Sequence, residues 1–402
     1  MQFEKRKVRT EIHLLLVHLH KIFKRGFKPL FLDYGEKNMF EEYNNFKITP
    51  PYHDGRRLLS MLDIDKQKPG FFIDTSNRSA GKTTFYNGYL VDNFLKKGKK
   101  FCLIYRNKYE LEVVCDSFFK DIQGLFFSGL TMSAESKASG SIYFLSISEL
   151  GDNAEKFHCG YAISLSGADQ IKKMSHMLSD TEVILFDEFQ LESRKYLKNE
   201  ILIFQSIYAS IARGQGQQSR YVPVILVGNL IDMYNPYFEA FGISERLNIN
   251  TNYMRGKGWV LAQGFNESSA KALSQSAVQR AFLNNDYDSV LTKKEYLFDD
   301  TANIRKDIPN IGLYLGTIMH KNTLYGVRYI ETLGIIYVSE KFEKSWKQVF
   351  AATESDISNN SIFFKKSKLR EKLTNYLHSG TLYFANMACK KAASAFIYNR
   401  SA

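Results

Sequence analysis

The feature that most constrains this chain is a run of small and polar residues between an apolar stretch and a helical pattern. Residues 71–74 (Phe-Phe-Ile-Asp) suit a buried strand, and residues 83–97 suit a helix. The residues at this junction are Ser76, Asn77, Arg78, Ser79, Ala80, Gly81, Lys82, Thr83 and Thr84. A strand, a small-residue loop and a helix in this order favour a phosphate-binding loop, because backbone N–H groups and the positive helix end attract an anion.

Two side chains of this loop carry the expected chemistry. Lys82 should reach the β- and γ-phosphates of ATP, and the Thr83 hydroxyl should bind Mg²⁺. Ser76 stands where the usual pattern GxxxxGK[ST] has its first glycine. The loop must therefore make its first turn without the conformational freedom of that glycine.

A second apolar stretch ends in two adjacent carboxylates. Residues 183–186 (Val-Ile-Leu-Phe) precede Asp187 and Glu188. Carboxylates at the C-terminal end of a buried strand lie where open α/β sheets bind ligands. We expect Asp187 to hold Mg²⁺ through water and Glu188 to activate the attacking water as a general base.

A third apolar stretch, residues 222–227, leads into Gly228 and Asn229. The Asn229 amide is a candidate to bond to the γ-phosphate or to Glu188, and so to report hydrolysis to the rest of the chain. An Asn after a Gly is also a common turn residue, which is the alternative role for Asn229.

Apolar runs and helical patterns alternate along residues 70–240, which predicts an α/β sheet. The predicted strands cover residues 71–74, 101–105, 161–165, 183–186 and 222–227, and the predicted helices cover 83–97, 108–119 and 194–212. The strands 101–105 and 161–165 come between the Lys82 loop and the strand that ends at Asp187. Intervening strands favour a P-loop ATPase core with an additional strand in its parallel sheet and a catalytic glutamate, and not a kinase or a small GTPase.

Changes of pattern divide the chain into four segments. Residues 1–66 are a helical and irregular extension, 67–253 the P-loop ATPase domain, 254–309 a linker or lid with a helix at 268–284, and 310–402 a small α/β domain. In the last segment we predict strands at 311–319, 324–330 and 333–338, a helix at 367–378, a strand at 382–384 and a helix at 386–398. The first three strands are expected to form an antiparallel meander.

The charge of the chain favours a polyanionic partner. Lys and Arg total 54 against 42 Asp and Glu, a formal charge of +12. Residues 310–402 hold 13 Lys and Arg against six Asp and Glu, so more than half of the excess lies there. A basic surface that only aids solubility is the alternative.

Cysteine spacing and N-terminal hydropathy argue against a zinc-binding, a disulfide-rich or a membrane-spanning protein. The four cysteines have no CxxC spacing, so the sequence indicates neither a zinc site nor a disulfide framework. The apolar residues 12–23 are far fewer than the roughly 20 needed to span a bilayer. We predict an amphipathic helix there and no membrane partner.

Four features together resemble the large-terminase class of phage DNA-packaging ATPases, and most closely the short packaging motors of small podoviruses. They are Arg78 in the loop, Phe-Asp-Glu-Phe at 186–189, Gly-Asn at 228–229 and Asn-Pro-Tyr-Phe at 235–238. The resemblance implies a homo-oligomeric ring, expected to be a pentamer, that uses ATP and Mg²⁺ to drive double-stranded DNA through the portal or connector of a procapsid. An RNA adaptor is a further candidate partner that the resemblance implies. The resemblance also implies action in the host cytoplasm at the portal vertex, and absence from the mature virion.

In such rings a neighbouring subunit inserts an arginine towards the γ-phosphate. Arg213, at the end of the predicted helix 194–212, is the first candidate. Arg220 and Arg194 are alternatives, and Arg78 is a candidate to act within its own site. A solvated arginine at a helix end is the other role open to Arg213.

Full-length large terminases carry an RNase H-like nuclease after the ATPase, so the resemblance implies a degenerate form of it at residues 310–402. The first predicted strand, 311–319, has no central Asp, and two-metal cleavage needs clustered carboxylates. We therefore predict no nuclease activity and a domain that binds nucleic acid or the portal. Its candidate phosphate contacts include Lys365, Lys366, Lys368, Arg370, Lys372, Lys390 and Lys391.

Two other functions share parts of this pattern. A P-loop helicase or partition-type ATPase would use the same nucleotide site. A non-hydrolysing scaffold would keep the fold and bind nucleic acid or a capsid vertex, although it needs no residue such as Glu188. The candidates for contact with the adenine base are Gln67, Tyr52 and Arg57.

Overall fold

The computed structural model describes most of the chain. The described residues are 44–47, 53–114, 120–137, 140–151, 154–193, 195–213, 216, 218–233, 235–244, 246–247, 250–277, 296, 303–363 and 367–398. The predicted helix at 12–23 lies outside them, as do Tyr52, Arg194, Lys365 and Lys366. Within the described part, no helix has the length and apolar character needed to cross a membrane.

The chain divides into two compact units, residues 1–241 with 249–297 and residues 242–248 with 298–402. In the first unit the described helices are α1 (Arg56–Leu59), α2 (Lys82–Lys97), α3 (Lys108–Val114), α4 (Lys120–Phe126), α5 (Ala168–Lys173), α6 (Glu200–Ile211), α7 (Pro236–Ala240) and α8 (Glu267–Ser274). Its described strands are β1 (Phe71–Ser76), β2 (Phe101–Tyr105), β3 (Leu130–Lys137), β4 (Ile142–Glu149), β5 (Phe157–Ser164), β6 (Val183–Asp187), β7 (Val224–Asn229), β8 (Tyr253–Gly256) and β9 (Trp259–Gln263).

Within the described residues of this unit, nine strands form one sheet in the order β3-β4-β5-β2-β6-β7-β1-β9-β8. The neighbouring strands β5, β2, β6, β7, β1 and β9 are all parallel. Strands β3, β4 and β8 are antiparallel to their neighbours. Strand β7 lies between β1 and β6. The strands that lead into the small-residue loop, the two carboxylates and Asn229 are therefore adjacent and end at one edge of the sheet.

The central strands are mostly apolar because helices cover both faces of the sheet. On one face, Phe72 of β1 belongs to the same buried cluster as Phe85 of α2. On the other face, Phe204 of α6 contacts Phe71 of β1 and Phe186 of β6. Each such side chain contributes roughly 1.5–3 kcal/mol when fully buried, so this packing fixes the edge of the sheet that carries the polar residues.

The predicted strands and helices of this unit are confirmed, with ends that mostly differ by a few residues. The start of the predicted helix 194–212 was wrong, because the helix begins only at Glu200. Helix α3 covers the described part of the predicted helix 108–119, and α8 covers that of the helix 268–284 as far as Ser274. Strands β3 and β4 were not predicted. Strand β3 is an edge strand rich in polar residues (Leu-Thr-Met-Ser-Ala-Glu-Ser-Lys), so it has no apolar run to identify it. Strands β8 and β9 were also missed. They lie in and beside the segment 254–309 and extend the sheet beyond β1.

The second unit contains a smaller sheet. Its described elements are β10 (Leu313–His320), β11 (Thr323–Ile330), β12 (Ile335–Ser339), β13 (Val349–Ala351), α9 (Lys368–His378), β14 (Leu382–Phe384) and α10 (Met387–Tyr398). Within the described residues the strand order is β13-β10-β11-β12-β14, with β13 and β14 parallel to their neighbours. Strands β10, β11 and β12 form the predicted antiparallel meander, and the final helix, strand and helix are also confirmed. The three-residue β13 was not predicted.

Candidate nucleotide site

The loop after β1 turns through two residues in the left-handed backbone region. Ser79 has φ 59° and Gly81 has φ 90°, and α2 begins directly afterwards at Lys82. Ser76 is the last residue of β1 and is part of the strand. The position where the usual pattern has a glycine therefore needs no glycine here, because the left-handed turns come later in the loop.

The Lys82 ammonium group is buried and directed back onto its own loop. Its Nζ atom lies 2.8 Å from Ser76 Oγ, 3.1 Å from Asn77 O, 3.2 Å from Asn229 Oδ1 and 3.4 Å from Ser76 O. Burial lowers the pKa of Lys82 to about 8, although the Asp74 and Asp187 carboxylates act to raise it. The loop thus holds a cation beside Asn229, the residue that ends β7.

The two predicted metal ligands are in contact. Thr83 Oγ1 donates a hydrogen bond of 2.6 Å to Asp187 Oδ2. Burial raises the pKa of Asp187, while the bonds from the Thr83 hydroxyl and the Glu188 amide lower it. A hydroxyl and a carboxylate are the oxygen ligands that Mg²⁺ prefers, so this pair fits the metal.

Glu188 has a left-handed backbone (φ 54°), which costs a non-glycine residue about 1–3 kcal/mol. Its amide donates to Asp187 Oδ1 (2.9 Å), and its carbonyl accepts from Arg106 Nη1 (3.3 Å). Partial burial and the adjacent Asp187 charge raise the pKa of Glu188. A raised pKa suits a general base, since a stronger base takes up a proton more readily.

A buried ion pair that the sequence reasoning missed supports this turn. Arg106, the residue after β2, contacts both carboxylate oxygens of Glu200, with Nε 2.9 Å from Oε2 and Nη2 2.9 Å from Oε1. Arg106 Nη2 also donates to the Phe189 carbonyl (2.9 Å), and Tyr237 donates to Glu200 Oε1 (2.8 Å). A charged residue directly after a buried strand was the available signal for Arg106, because the same signal identified Asp187.

Gly228 is needed for the close approach of this turn to β7. A Cβ atom at position 228 would lie 2.9 Å from the Phe189 ring, which is fully buried. The Phe189 amide donates to the Val227 carbonyl (3.2 Å). The Gly-Asn sequence at 228–229 therefore allows the carboxylate turn to pack on β7 and places Asn229 against Lys82, and not against Glu188.

The remaining residues of the loop have separate positions. Arg78 is exposed, and its Nη2 lies 3.1 Å from Glu192 Oε1, four residues beyond Glu188.

Asn77 is buried, and its side chain contacts Asn266 and Ser269. Ala80 is buried and its carbonyl accepts from the His53 amide. Thr84 is half-buried in the first turn of α2.

Arg213 is exposed, and it lies near the N-terminal ends of the parallel strands, opposite the C-terminal ends that carry these residues. Helix α6 begins at Glu200, beside Arg106, and runs to Ile211. There Arg220 donates to the carbonyls of Ile211 and of Thr181, which precedes β6. The length of β6, roughly 15 Å, separates this end from Asp187, so Arg213 is remote from its own site. Arg220 is buried in those two bonds, and it is therefore a poor candidate for insertion into another subunit.

A cavity of about 530 Å³ borders the loop at Ser76. Its lining includes His53, Asp74, Tyr253, Gln263 and Asn266. Of the earlier adenine candidates, Arg57 packs its guanidinium on the Tyr253 ring, 4.4 Å from the ring centre. Gln67 does not line the cavity, since its amide hydrogen-bonds within the turn that begins at Asp63.

In the second unit the acidic residues are dispersed. The described residues of the chain contain no group of three or more His, Cys, Asp or Glu side chains placed to hold a metal. Glu331, Glu340 and Glu354 are exposed, and Asp356 is buried. Lys368 and Lys372 line a groove of about 480 Å³ beside β13 and α9, so two of the predicted phosphate contacts lie together.

Comparison with known proteins gives consistent results. The family model for the podovirus DNA encapsidation protein (Gp16) matches residues 54–401. The DNA packaging protein of Bacillus phage PZA is 23% identical over 321 residues, 79% of this chain and 90% of that protein. The DNA packaging protein of Bacillus phage phi29 is 22% identical over 321 residues, with the same coverage. A chain of the bacteriophage Phi-29 viral genome packaging motor assembly has a TM-score of 0.63 at 19% identity, covering 85% of this chain and 97% of that one.

Proposed function

Because this chain belongs to the podovirus DNA encapsidation protein (Gp16) family, we propose that it packages phage DNA by coupling ATP hydrolysis to the movement of double-stranded DNA into a procapsid. The observation that carries the hydrolytic part is the convergence of Lys82, Thr83, Asp187 and Glu188 at one edge of the sheet. A cation, two oxygen ligands for a metal and a carboxylate base are the groups that phosphoryl transfer to water requires.

The sheet order supports an additional-strand P-loop core. Strand β7 separates β1, which leads into the phosphate loop, from β6, which ends in the carboxylates. Strands β2 and β5, which precede Asp187 in the chain, are not the additional strand, because they lie on the far side of β6. In this arrangement Asn229 faces Lys82, so we assign it to the phosphate end of the site.

Each residue has a defined task in this proposal. Lys82 and the N–H groups of residues 77–83 hold the phosphates, and Thr83 with Asp187 holds Mg²⁺. The metal supplies charge neutralisation at the phosphate oxygens. Glu188 accepts the proton of the attacking water. The Arg106–Glu200 pair keeps the Glu188 backbone in the left-handed conformation. The 530 Å³ cavity next to Ser76 is the proposed site of the base and ribose.

We also propose the ring, its partners and its location. Since Arg213 lies about one strand length from its own Asp187, it can act at a γ-phosphate only in a neighbouring subunit, and Arg78 acts in its own site. A homo-oligomeric ring, pentameric in our expectation, at the portal in the host cytoplasm supplies that neighbour. Residues 67–253 hydrolyse ATP together with β8, β9 and the cavity residues that follow β9. The rest of the segment 254–309 connects, and residues 310–402 bind DNA, portal or an RNA adaptor.

The second unit is proposed as a degenerate RNase H-like domain. The meander β10-β11-β12 with the parallel strand β13 beside β10 supports this assignment. Its dispersed acids give no support for two-metal cleavage, so we propose that it is not a nuclease. Incubating the full chain with linear and supercoiled DNA in Mn²⁺ tests this; cleavage that depends on the metal and is lost on substitution of Asp356 would contradict it.

One experiment distinguishes a packaging motor from any other P-loop ATPase. Hydrolysis of ATP is measured for the full chain alone, with double-stranded DNA, with empty procapsids, and with both. We expect stimulation by each addition and the largest rate with both. A helicase or partition-type ATPase would respond to DNA without regard to procapsids, and a scaffold would release no phosphate in any mixture.

A further inference from the structure

Lys82 has more acceptors around it than it has protons to donate. An ammonium group carries three N–H bonds, while Ser76 Oγ, Ser76 O, Asn77 O and Asn229 Oδ1 all lie within 3.4 Å of Nζ. The nearest of the four is the Ser76 hydroxyl at 2.8 Å. Every Lys82 proton is therefore directed at the protein itself, and a phosphate oxygen must displace one of these acceptors.

The Ser76 hydroxyl is fixed in place as an acceptor. Ser76 is buried, and its own O–H donates to the Asn77 carbonyl at 3.3 Å, which leaves the oxygen lone pairs for Lys82. Glycine at this position, as in the usual loop pattern, would supply no such oxygen. Ser76 also has no part in the left-handed turns at Ser79 and Gly81, so its side chain, and not its backbone, distinguishes this loop.

We propose that the Ser76 hydroxyl is an internal ligand of Lys82 that competes with the phosphates of bound nucleotide. This inference rests on the proposed binding of ATP by the loop. Charge-assisted hydrogen bonds are about twice as strong as neutral ones, so this bond favours the ligand-free state. The hydroxyl lowers the affinity for ATP and ADP, and it takes Lys82 back when ADP leaves, which speeds product release.

The test is the variant Ser76→Ala in the full chain, which removes the oxygen and keeps Cβ. Equilibrium binding of ATP, ADP and AMP and the dissociation rate of a fluorescent ADP are measured. We expect ATP and ADP to bind about five- to tenfold more tightly and ADP to dissociate more slowly. AMP lacks the phosphates that recruit Lys82, so its affinity should not change.

Two further variants keep the test decisive. Thr75→Val removes a hydroxyl from the neighbouring strand position, which bonds to the Ala262 carbonyl and not to Lys82, and it should leave all three affinities unchanged. If Ser76→Ala does not fold, Ser76→Gly removes the same oxygen and should give the same signs.

Two results would overturn the inference. Weaker binding of ATP in Ser76→Ala would mean that the hydroxyl supports Lys82 in the bound state. Equal changes for ATP and AMP would mean that the effect comes from the loop and not from the lysine. The underlying proposal fails in a different way: Lys82→Ala would then bind ATP as tightly as the unaltered chain.

Discussion

The two units of this chain show how similar architectures differ in chemical capacity. Both have a sheet packed against helices with polar groups at the ends of strands. In the first unit Lys82, Thr83, Asp187 and Glu188 come together at one edge, with contacts between Thr83 and Asp187 and between Asp187 and Glu188. In the second unit the buried acid Asp356 bonds to nearby protein groups. The two units therefore differ in whether polar and charged side chains meet at one place, and not in fold class.

Buried charge is used differently in the two units. In the first unit the Arg106–Glu200 pair is directed at the backbone of a candidate catalytic turn. In the second unit Arg328 packs on the Tyr314 ring and donates to the Lys341 carbonyl, so it holds a surface loop in place. The first arrangement positions chemistry, whereas the second maintains structure. Substitutions in each unit should therefore differ in which measurement they change.

The largest expected effect comes from removing the base. Glu188→Gln should retain ATP binding and reduce turnover about 100-fold or more, the scale of general-base catalysis. Phosphate release and equilibrium ATP binding are the two measurements. Glu182→Gln, an exposed acid just before β6, is the matched control and should have unchanged turnover. Equal turnover in Glu188→Gln and the unaltered chain would remove Glu188 from this role.

The next effect tests whether one site is built from two subunits. Mixed in equal amounts, Arg213→Ala and Glu188→Gln subunits should recover activity, because about a quarter of the interfaces in a head-to-tail ring then pair an intact Glu188 with an intact Arg213. Glu188→Gln mixed with Lys82→Ala is the control, since both changes fall in one subunit's site and no complete site forms. Recovery in the control, or none in the first mixture, would argue against Arg213 acting across the interface.

The sequence predicted the parts of the site that follow buried strands. Asp187, Asn229 and the loop before α2 were identifiable because an apolar run ends and polar residues begin at each of them. The partner of Asn229 was not identifiable, since it depends on β7 being placed beside β1. Glu200 lies in an apolar helix with no local signal, and its pairing with Arg106 depends on contacts between distant parts of the chain.

A third prediction concerns pH, and it uses the low pKa of Lys82. Lys82 has a pKa of about 8 in the free protein, and bound phosphates favour its charged form and so raise that pKa. Below pH 8 the group is charged in both states, and ATP affinity should not vary through it. Above pH 8 binding must take up a proton, so affinity should fall by up to about tenfold per pH unit. Lys82→Arg, which stays charged, should not show this decline.

The smallest expected effect lies in the second unit, at Asp356. Burial acts to raise the pKa of Asp356, but the Thr353 hydroxyl, the Lys321 amide and His320 outweigh it and lower the pKa. A carboxyl with a lowered folded pKa stabilises the fold above its unfolded pKa of about 4, and this contribution is lost as pH falls through the folded value. Asp356→Asn should cost about 1.5–3 kcal/mol in the free energy of unfolding, measured with denaturant, and leave ATP turnover unchanged. A loss of turnover with unchanged stability would instead give Asp356 a part in the chemistry, and the contrast between the two units would no longer hold.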